Sequence, residues 1–225
     1  VFILFAAPPV KDLEWSDQGV EGCSRFLKRV WRIFGEFIEE TKTVTLPGES
    51  FTSSVSEIKA LRRMTHITIR RVTDDIEIRM QFNTAIAAIM ELVNHLFGLR
   101  EWWSNNRDET AKMAMREALE TLILTLSPFA PHIAEEMAEE MGLAKTMGQW
   151  TWPKYKEELT QTDDILIVIQ VNGKVRQKIS VASGISEDDL KTCSLEDPKI
   201  KEWTQDKEIK KVVVIPKKLV NIVIQ

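Results

Sequence analysis

The residues of this sequence that could do chemistry are cations repeated at helical spacing, which could face phosphate groups. One set lies within 17–41 and shares one side of a predicted helix: Arg25, Lys28, Arg29 and Arg32. A second set repeats in the same way further along the chain: Lys59, Arg62, Arg63, His66 and Arg70. Solvated surface charge is the default meaning of either set alone. Two consecutive helices with the same division into apolar and basic sides favour a phosphate-facing surface.

A third set of cations lies in a predicted β-hairpin. The run ILIVIQV at 165–171 is typical of a strand, and Asn172-Gly173 is the preferred pair for a type I′ turn. Since side chains alternate between the faces of a strand, the return strand is predicted to present three cations on one face: Lys174, Arg176 and Lys178. Charge on an edge strand also protects it against aggregation, so that alternative stays open.

No stretch of the sequence carries a catalytic or metal-binding pattern. It contains no Gly-rich phosphate loop and no Ser, His and Asp set at catalytic spacing, and its three histidines stand apart. The two cysteines, Cys23 and Cys193, have no metal-ligand spacing, which fits a reducing, cytoplasmic setting. We therefore expect no catalytic residue, metal or cofactor in this chain.

The net charge of −4 argues against a uniformly basic nucleic-acid binder. The charge is uneven, however: residues 165–225 hold 11 Lys and Arg against 8 Asp and Glu, a net +3, which leaves −7 for the rest. A polyanion would therefore meet local patches. No apolar run approaches the roughly 18 residues of a membrane span. The opening VFILFAAPP lacks an initiator Met and a basic leader, so we expect Val1 to lie inside a longer protein.

The elements that must position these cations are mainly helices. In the helix at 17–41 an apolar stripe lies beside the cations: Phe26, Val30, Ile33 and Phe37. Ser54 and Glu57 predict a capping box that opens the second helix. Ser16 or Asp17 is the predicted N-cap of the first helix. A third helix at 81–97 is predicted to be the most buried, and Asn94 within it is interpreted as a helix-end or interhelical amide. A loop is predicted at 98–108, and two more helices follow, one from about Asp108 and the last between Pro131 and Gly142.

The helical period disappears after Trp152, and the composition then changes class. We expect a helical domain at 17–153, a polar linker at 154–164 and a small β-β-α-β-β domain at 165–225. Residues 1–16 are predicted to be a connection from a preceding part of the protein. The predicted fold class is mainly α, a helical bundle followed by a small α+β domain.

The residues also carry a family resemblance that covers essentially the whole chain. The stretches DLEWSDQGVEGCSRFLKRVWR at 12–32 and FNTAIAAIMELVN at 82–94 resemble bacterial-type leucyl-tRNA synthetases. SPFAPHIAEEM with WTWP resembles the end of the anticodon-binding bundle shared by the class Ia leucyl, valyl, isoleucyl and methionyl enzymes. QVNGKVRQKI and KKVVVIPKKLVNIVI are similar to the carboxy-terminal module of the leucyl family.

The resemblance implies the carboxy-terminal portion of a leucine-tRNA ligase. The family uses ATP with Mg to join leucine to its tRNA, through HIGH and KMSKS motifs that are absent from this sequence. This chain is therefore expected to be inactive alone and to work beside its own catalytic and editing domains, as a cytoplasmic monomer with tRNA for leucine as partner. The helical domain is expected along the anticodon stem, and the last module at the tRNA elbow.

The resemblance turns the cations into candidate tRNA contacts. The complete set adds the turn residue and two lysines near the end of the chain: Arg25, Lys28, Arg29, Arg32, Arg62, Arg63, His66, Arg70, Asn172, Lys174, Arg176, Lys178, Lys217 and Lys218. Within it, Lys174 and Arg176 are predicted to make the hairpin's contact. Lys217 stands where the family often has Gly, and Gln177 where a small residue is frequent.

Two other readings compete with this one. A sister class Ia synthetase, valyl, isoleucyl or methionyl, would share the helical bundle, but residues 165–225 argue against it. A free-standing, non-catalytic RNA-binding protein would reuse the bundle without a catalytic domain, and the sequence upstream of Val1 would separate it from a synthetase.

Overall fold

The computed structural model describes residues 1–8, 10–47, 51–143, 147–161, 164–182, 184–205, 207–216 and 218–225. The chain forms two units, Val1–Thr160 and Gln161–Gln225. Within the described ranges, the helices are all too short or too polar to cross a membrane.

The first unit is built from helices. Their bounds are α1 (Phe2–Ala6), α2 (Asp17–Thr41), α3 (Ser56–Glu77), α4 (Phe82–Gly98), α5 (Arg100–Asn105), α6 (Glu109–Leu126), α7 (Pro131–Met141) and α8 (Glu157–Thr160), with a 3-10 turn at Met147–Gln149. Helix α3 packs against α4 and α6, and α2 packs against α4, α6 and α7.

Apolar periodicity places the core of the first unit as predicted. The stripe of α2 from Phe26 to Phe37 is buried, and so is the whole inner face of α4. The predicted caps also form where the sequence supplies them locally. Ser16 accepts a hydrogen bond from the Gly19 amide, and Asp108 accepts one from the Ala111 amide. Gly142 ends α7 with φ of +76°.

Two local predictions about helices are wrong. Helix α3 begins at Ser56 after Val55, which has no capping side chain, so the capping box predicted from Ser54 does not form. The stretch 98–108, predicted to be a loop, contains helix α5. Burial explains α5, because Trp103 packs edge-on against Phe37, with ring centroids 5.5 Å apart, and this contact requires a helical turn beneath it.

The first residues of the chain belong to the helical unit. Helix α1 packs against α2 and α4, and its Phe2 ring lies directly over Gly19. A Cβ at Gly19 would lie 2.5 Å from Phe2 Cε2, so a larger residue there would displace the Phe2 ring. The first unit also extends past Trp152, since α8 packs against α3. Residues 154–160 of the predicted linker are thus part of this unit.

The second unit is a four-stranded sheet with two helices on one face. Its elements are β1 (Asp164–Val171), β2 (Lys174–Ala182), α9 (Glu187–Glu196), α10 (Pro198–Thr204), β3 (Ile209–Ile215) and β4 (Leu219–Ile224). The strand order is β2-β1-β4-β3, with β1 and β4 parallel and the two hairpins antiparallel. Alternate residues of the strands, including Ile167, Ile169 and Ile222, pack with Leu190 and Ile200 of the helices. The predicted β-β-α-β-β unit is confirmed, with two helices in the middle.

Candidate nucleic-acid interface

The cations of α3 do not form the exposed ridge that their spacing predicts. The Arg62 side chain is 5% exposed, and its Nε lies 2.8 Å from Glu117 Oε2. The His66 side chain is 3% exposed, and its Nε2 lies 3.3 Å from Glu117 Oε1. Arg62 also donates to the Phe51 carbonyl and stacks on the Phe51 ring. The prediction of an exposed ridge is wrong at these two residues, because both side chains are buried against a carboxylate inside the helical unit. Their contact with tRNA stays a prediction.

The Glu117 carboxylate is the centre of this buried group. Burial raises the pKa of its carboxyl, but hydrogen bonds from His66 and Arg62 and the Arg62 charge outweigh the burial, so the pKa is lowered overall. The carboxylate therefore stays ionised and balances the Arg62 guanidinium in a largely buried site.

We expect the lowered pKa of Glu117 to make the first unit sensitive to acid. The folded state holds the ionised form, so this stabilisation is complete above the ordinary pKa of 4.5 and is lost as the pH falls through the lower folded value. Urea unfolding between pH 6 and pH 3 should show the stability advantage of the parent over Glu117→Gln shrinking towards acid. A constant difference over this range would contradict the assignment.

Arg70 is paired within the first unit but stays partly exposed, with 35% of its side chain accessible. Its Nη1 lies 3.2 Å from Glu157 Oε1 and 3.2 Å from Thr160 Oγ1, both on α8. Its contact with tRNA stays a prediction. Arg63 is half-buried. The pKa of His95 on α4 is lowered, first by the burial of His95 and second by the nearby Arg63 charge. The role of Arg63 in tRNA binding stays a prediction.

The cations of α2 are exposed, and two of them meet around one aromatic ring. The guanidinium carbons of Arg29 and Arg32 lie 4.7 and 4.8 Å from the centroid of Phe97 on α4. Arg100 of α5 approaches the same ring at 5.8 Å. We call Arg29, Arg32 and Arg100 the Phe97 arginine cluster. Its side chains are accessible, since those of Arg32 and Arg100 are 62% and 50% exposed.

Neighbouring polar groups hold this cluster in place. Arg29 Nη2 donates to Asn94 Oδ1 at 2.8 Å, which confirms the sequence interpretation of Asn94 as an interhelical amide. Glu36 pairs with both Arg32 and Arg100. Three guanidinium groups with one carboxylate leave a net positive, partly ordered surface. Sequence analysis missed Arg100, although its spacing of three from Phe97 would have indicated it if α5 had been recognised as a helix.

The other two cations of α2 lie outside the cluster. Arg25 forms an exposed ion pair with Glu21 one turn earlier, at 3.6 Å. Lys28 lines an apolar groove of about 530 Å³ together with Cys23, Leu27 and Trp31. Both are accessible to a polyanion, and their contact with tRNA stays a prediction.

The hairpin of the second unit forms with the predicted turn but without the predicted alternation. Asn172 and Gly173 have φ of +49° and +77°, as a type I′ turn requires. The pairs Ile169 with Gln177 and Gln170 with Val175 leave Arg176 without an opposite residue, which is a β-bulge. The strand therefore changes its side-chain pattern at Arg176.

The bulge sends Arg176 to the helix side of the sheet. Its guanidinium carbon lies 3.6 Å from the ring centroid of Trp203 on α10. Lys178 precedes Ile179, which packs into the core, so Lys178 points to the opposite, open face. The prediction that three cations share one face is wrong. Lys174 and Lys178 remain exposed, whereas Arg176 packs against a tryptophan.

The remaining candidates of the second unit have different roles. Asn172 bonds to its own chain: its Nδ2 donates to the Ile224 carbonyl at 3.1 Å, and its Oδ1 accepts from the Ile224 amide at 2.9 Å. Asn172 therefore has a structural role in joining the turn to β4, and its contact with tRNA stays a prediction. Lys218 is exposed at the start of β4. Lys217 lies outside the described residues.

The described part of the chain offers no site for a metal ion, since no three His, Cys, Asp or Glu side chains in it come together in a way that could hold one. Both cysteines are free thiols. Local groups of exposed cations, such as the Phe97 arginine cluster, are the part of this surface that suits phosphate groups.

Comparison with known proteins agrees with this chemistry. Residues 59–191, more than half of the chain, match the family described as the anticodon-binding domain of tRNA ligase. The chain belongs to this family.

Relatives of this chain are leucine-tRNA ligases. It is 42% identical over 225 residues to the enzyme of Syntrophobacter fumaroxidans and 45% identical over 226 residues to that of Syntrophus aciditrophicus. Each match covers 100% of this chain but only 27% and 26% of the relatives, in their carboxy-terminal portions. The chain thus spans about a quarter of their length.

A solved structure has the same fold as this anticodon-binding chain. It is the LeuRS of Agrobacterium radiobacter K84 in a ternary complex with tRNA and LeuAMS. The TM-score is 0.80 at 27% identity, over 100% of this chain and 28% of the LeuRS chain. The resemblance noted in the sequence and the predicted fold class are confirmed.

Proposed function

We propose that this chain is the tRNA-binding carboxy-terminal part of a leucine-tRNA ligase and that its partner is tRNA for leucine. The observation that carries the proposal is that similarity to leucine-tRNA ligases runs through the whole chain, including the second unit. The sister-synthetase reading predicts similarity limited to the helical bundle. The free-standing reading predicts relatives of about this length, whereas those found are about four times longer.

The binding surfaces follow from the exposed cations. In the first unit, the Phe97 arginine cluster offers guanidinium groups that an aromatic ring and Asn94 already orient, which reduces the entropy lost on binding phosphate. In the second unit, Lys174 and Lys178 are exposed on the hairpin. Contacts of this kind position the RNA backbone and carry little base specificity. They therefore suit recognition of tRNA shape.

Catalysis belongs to the part of the protein that this chain does not cover. Because the HIGH and KMSKS motifs of the family lie outside this sequence, we assign ATP and Mg to the catalytic portion of the longer protein and no step of the reaction to this chain. The chain binds tRNA without charging it, beside its own catalytic and editing domains. We propose that it does so as a monomer in the cytoplasm.

We expect the hairpin to contribute phosphate contacts through Lys174 and Lys178. The Lys174→Glu, Lys178→Glu double variant should weaken binding of leucine tRNA, and the slope of log affinity against log salt should fall by roughly 1 to 2 units as counterion release is lost. Filter binding over a salt series measures both. Arg176 is left unchanged because it packs on Trp203 and its loss would disturb the fold.

The matched control carries the same charge change on the helix side of the second unit, at Lys191→Glu and Lys199→Glu. It should retain most of the affinity. If the hairpin variant and the parent show equal affinity and equal salt slope, the hairpin does not contact tRNA. Equal binding of leucine tRNA and a tRNA for another amino acid would contradict the proposed partner.

A further inference from the structure

Three side chains of α3 hold the segment that leads out of the first unit. Trp152 Nε1 donates to Thr73 Oγ1 at 2.8 Å. The Lys156 amide donates to His66 Nδ1 at 3.1 Å. Arg70 Nη1 contacts Glu157 and Thr160 at 3.2 Å each. His66, Arg70 and Thr73 follow one another at helical spacing of four and three, so they form one row on α3. We call this row the α3 clamp.

The clamp is tied to the buried core of the first unit. His66 uses both ring nitrogens, since Nε2 lies 3.3 Å from Glu117 Oε1 while Nδ1 accepts from Lys156. With Glu117 ionised, Nε2 carries the proton and Nδ1 is free to accept. The same carboxylate also holds Arg62. The segment 152–160 is therefore held by groups whose orientation the core fixes.

We propose that the α3 clamp sets the length of the tether between the two units, and so positions the second unit for tRNA. This rests on the proposed function. Three residues separate Thr160, which the clamp holds, from Asp164, where β1 begins. At roughly 3.3 to 3.6 Å per residue, four steps reach no further than about 14 Å. With the clamp released, the twelve steps from Trp152 would reach about 40 Å.

Tether length matters because the second unit then binds an RNA already held by the first. The effective concentration of a linked module falls as roughly the −3/2 power of tether length once the tether exceeds the span. A threefold longer tether lowers it about fivefold on this scaling. Arg70 and Thr73 are thus positioning residues, which act on tRNA through the second unit.

The test replaces the outer part of the clamp and leaves His66 and Glu117 intact. Arg70→Met with Thr73→Val keeps the volume of both side chains and removes their hydrogen bonds. Spin labels on exposed Cys193 in the second unit and on Ser104→Cys in the first would report the distribution of distances between them. We expect the distribution to broaden in the double variant, while the urea midpoint of the helical unit changes little. An unchanged width would overturn the clamp, whether or not the chain binds RNA.

The functional part of the test uses leucine tRNA. In the double variant His66 still holds Lys156, so eight steps remain to Asp164 and we expect about threefold weaker binding. Insertion of eight Gly and Ser residues after Gln161 makes twelve steps with the clamp intact, and we expect about fivefold weaker binding. Neither change should weaken binding further when Lys174 and Lys178 are already Glu, because the tether acts only through contacts of the second unit. If the parent binds tRNA and the variants bind it with the same affinity as the parent, the positioning role is overturned. A parent that does not bind tRNA would overturn the proposed function, and the label distances would still decide whether the clamp sets the tether.

Discussion

Replacing Glu117 with alanine is expected to destabilise the helical unit by about 3 to 5 kcal/mol, the usual cost of removing one partner from a buried ion pair. The change leaves the Arg62 guanidinium, 5% exposed, with no opposite charge, and removes the partner of His66 Nε2. Domains are typically stable by about 5 to 15 kcal/mol, so the loss would be a large part of the total. Urea unfolding followed by helical circular dichroism measures it.

Two controls separate this effect from a general loss of charge. Glu21→Ala removes an exposed partner of Arg25 on α2 and should change stability little, since both side chains are mostly in solvent. Glu117→Gln keeps hydrogen-bond acceptors but not the charge and should fall between the parent and Glu117→Ala. A loss below about 1 kcal/mol for Glu117→Ala would mean that Arg62 reaches water in the folded state.

The second large effect is expected at the Phe97 arginine cluster. Arg32→Gln with Arg100→Gln should weaken tRNA binding roughly 30-fold at 0.15 M salt, if each arginine meets one phosphate and the counterion-release term disappears near 1 M. The slope of log affinity against log salt should fall by about 2 units. Folding should be little affected, because both side chains are at least half exposed. Filter binding across a salt series, with leucine tRNA, is the measurement.

A control removes the same charge from arginines elsewhere on the first unit. Arg71 and Arg107 each pair with one carboxylate, Glu91 and Glu40 respectively, and have no contact with Phe97. Their replacement by Gln should cost much less affinity than the change at the cluster. Equal losses of affinity for both pairs would show that tRNA binding depends on the total charge of the chain and not on the arrangement of arginines around Phe97.

The parts of the fold that could be predicted are those determined by neighbours in sequence. The apolar stripe of α2 and its cap at Ser16 depend on residues within a few positions, and both are as predicted. The Asn172-Gly173 turn is equally local. Helix α5 was missed because its stability comes from burying Trp103 against Phe37, a contact that its own short sequence does not reveal.

The candidate site, in contrast, depends on contacts between residues distant in sequence, which could not be predicted. Periodicity places Arg62 and His66 on one side of α3, but only the fold brings Glu117, more than 50 residues away, against that side. A solvent-facing ridge and a buried charge cluster therefore have the same spacing in sequence. The bulge at Arg176 is similar, since nothing in KVRQKISV indicates where the alternation breaks. Predicting the Phe97 arginine cluster would have required knowing how α2 packs on α4 and that α5 is a helix.

The strand order of the second unit has a consequence for synthesis on the ribosome. Its first strand, β1, pairs with its last, β4, and β4 lies between β1 and β3. Until Leu219–Ile224 has left the exit tunnel, the hairpin of β1 and β2 lacks its neighbour on one edge, and Asn172 lacks the Ile224 backbone that it bonds. The helical unit, complete by Thr160, can fold while the rest is being made. The second unit closes only when translation has supplied its final strand, so its unpaired β1 edge is exposed to aggregation for the time needed to add about 50 residues.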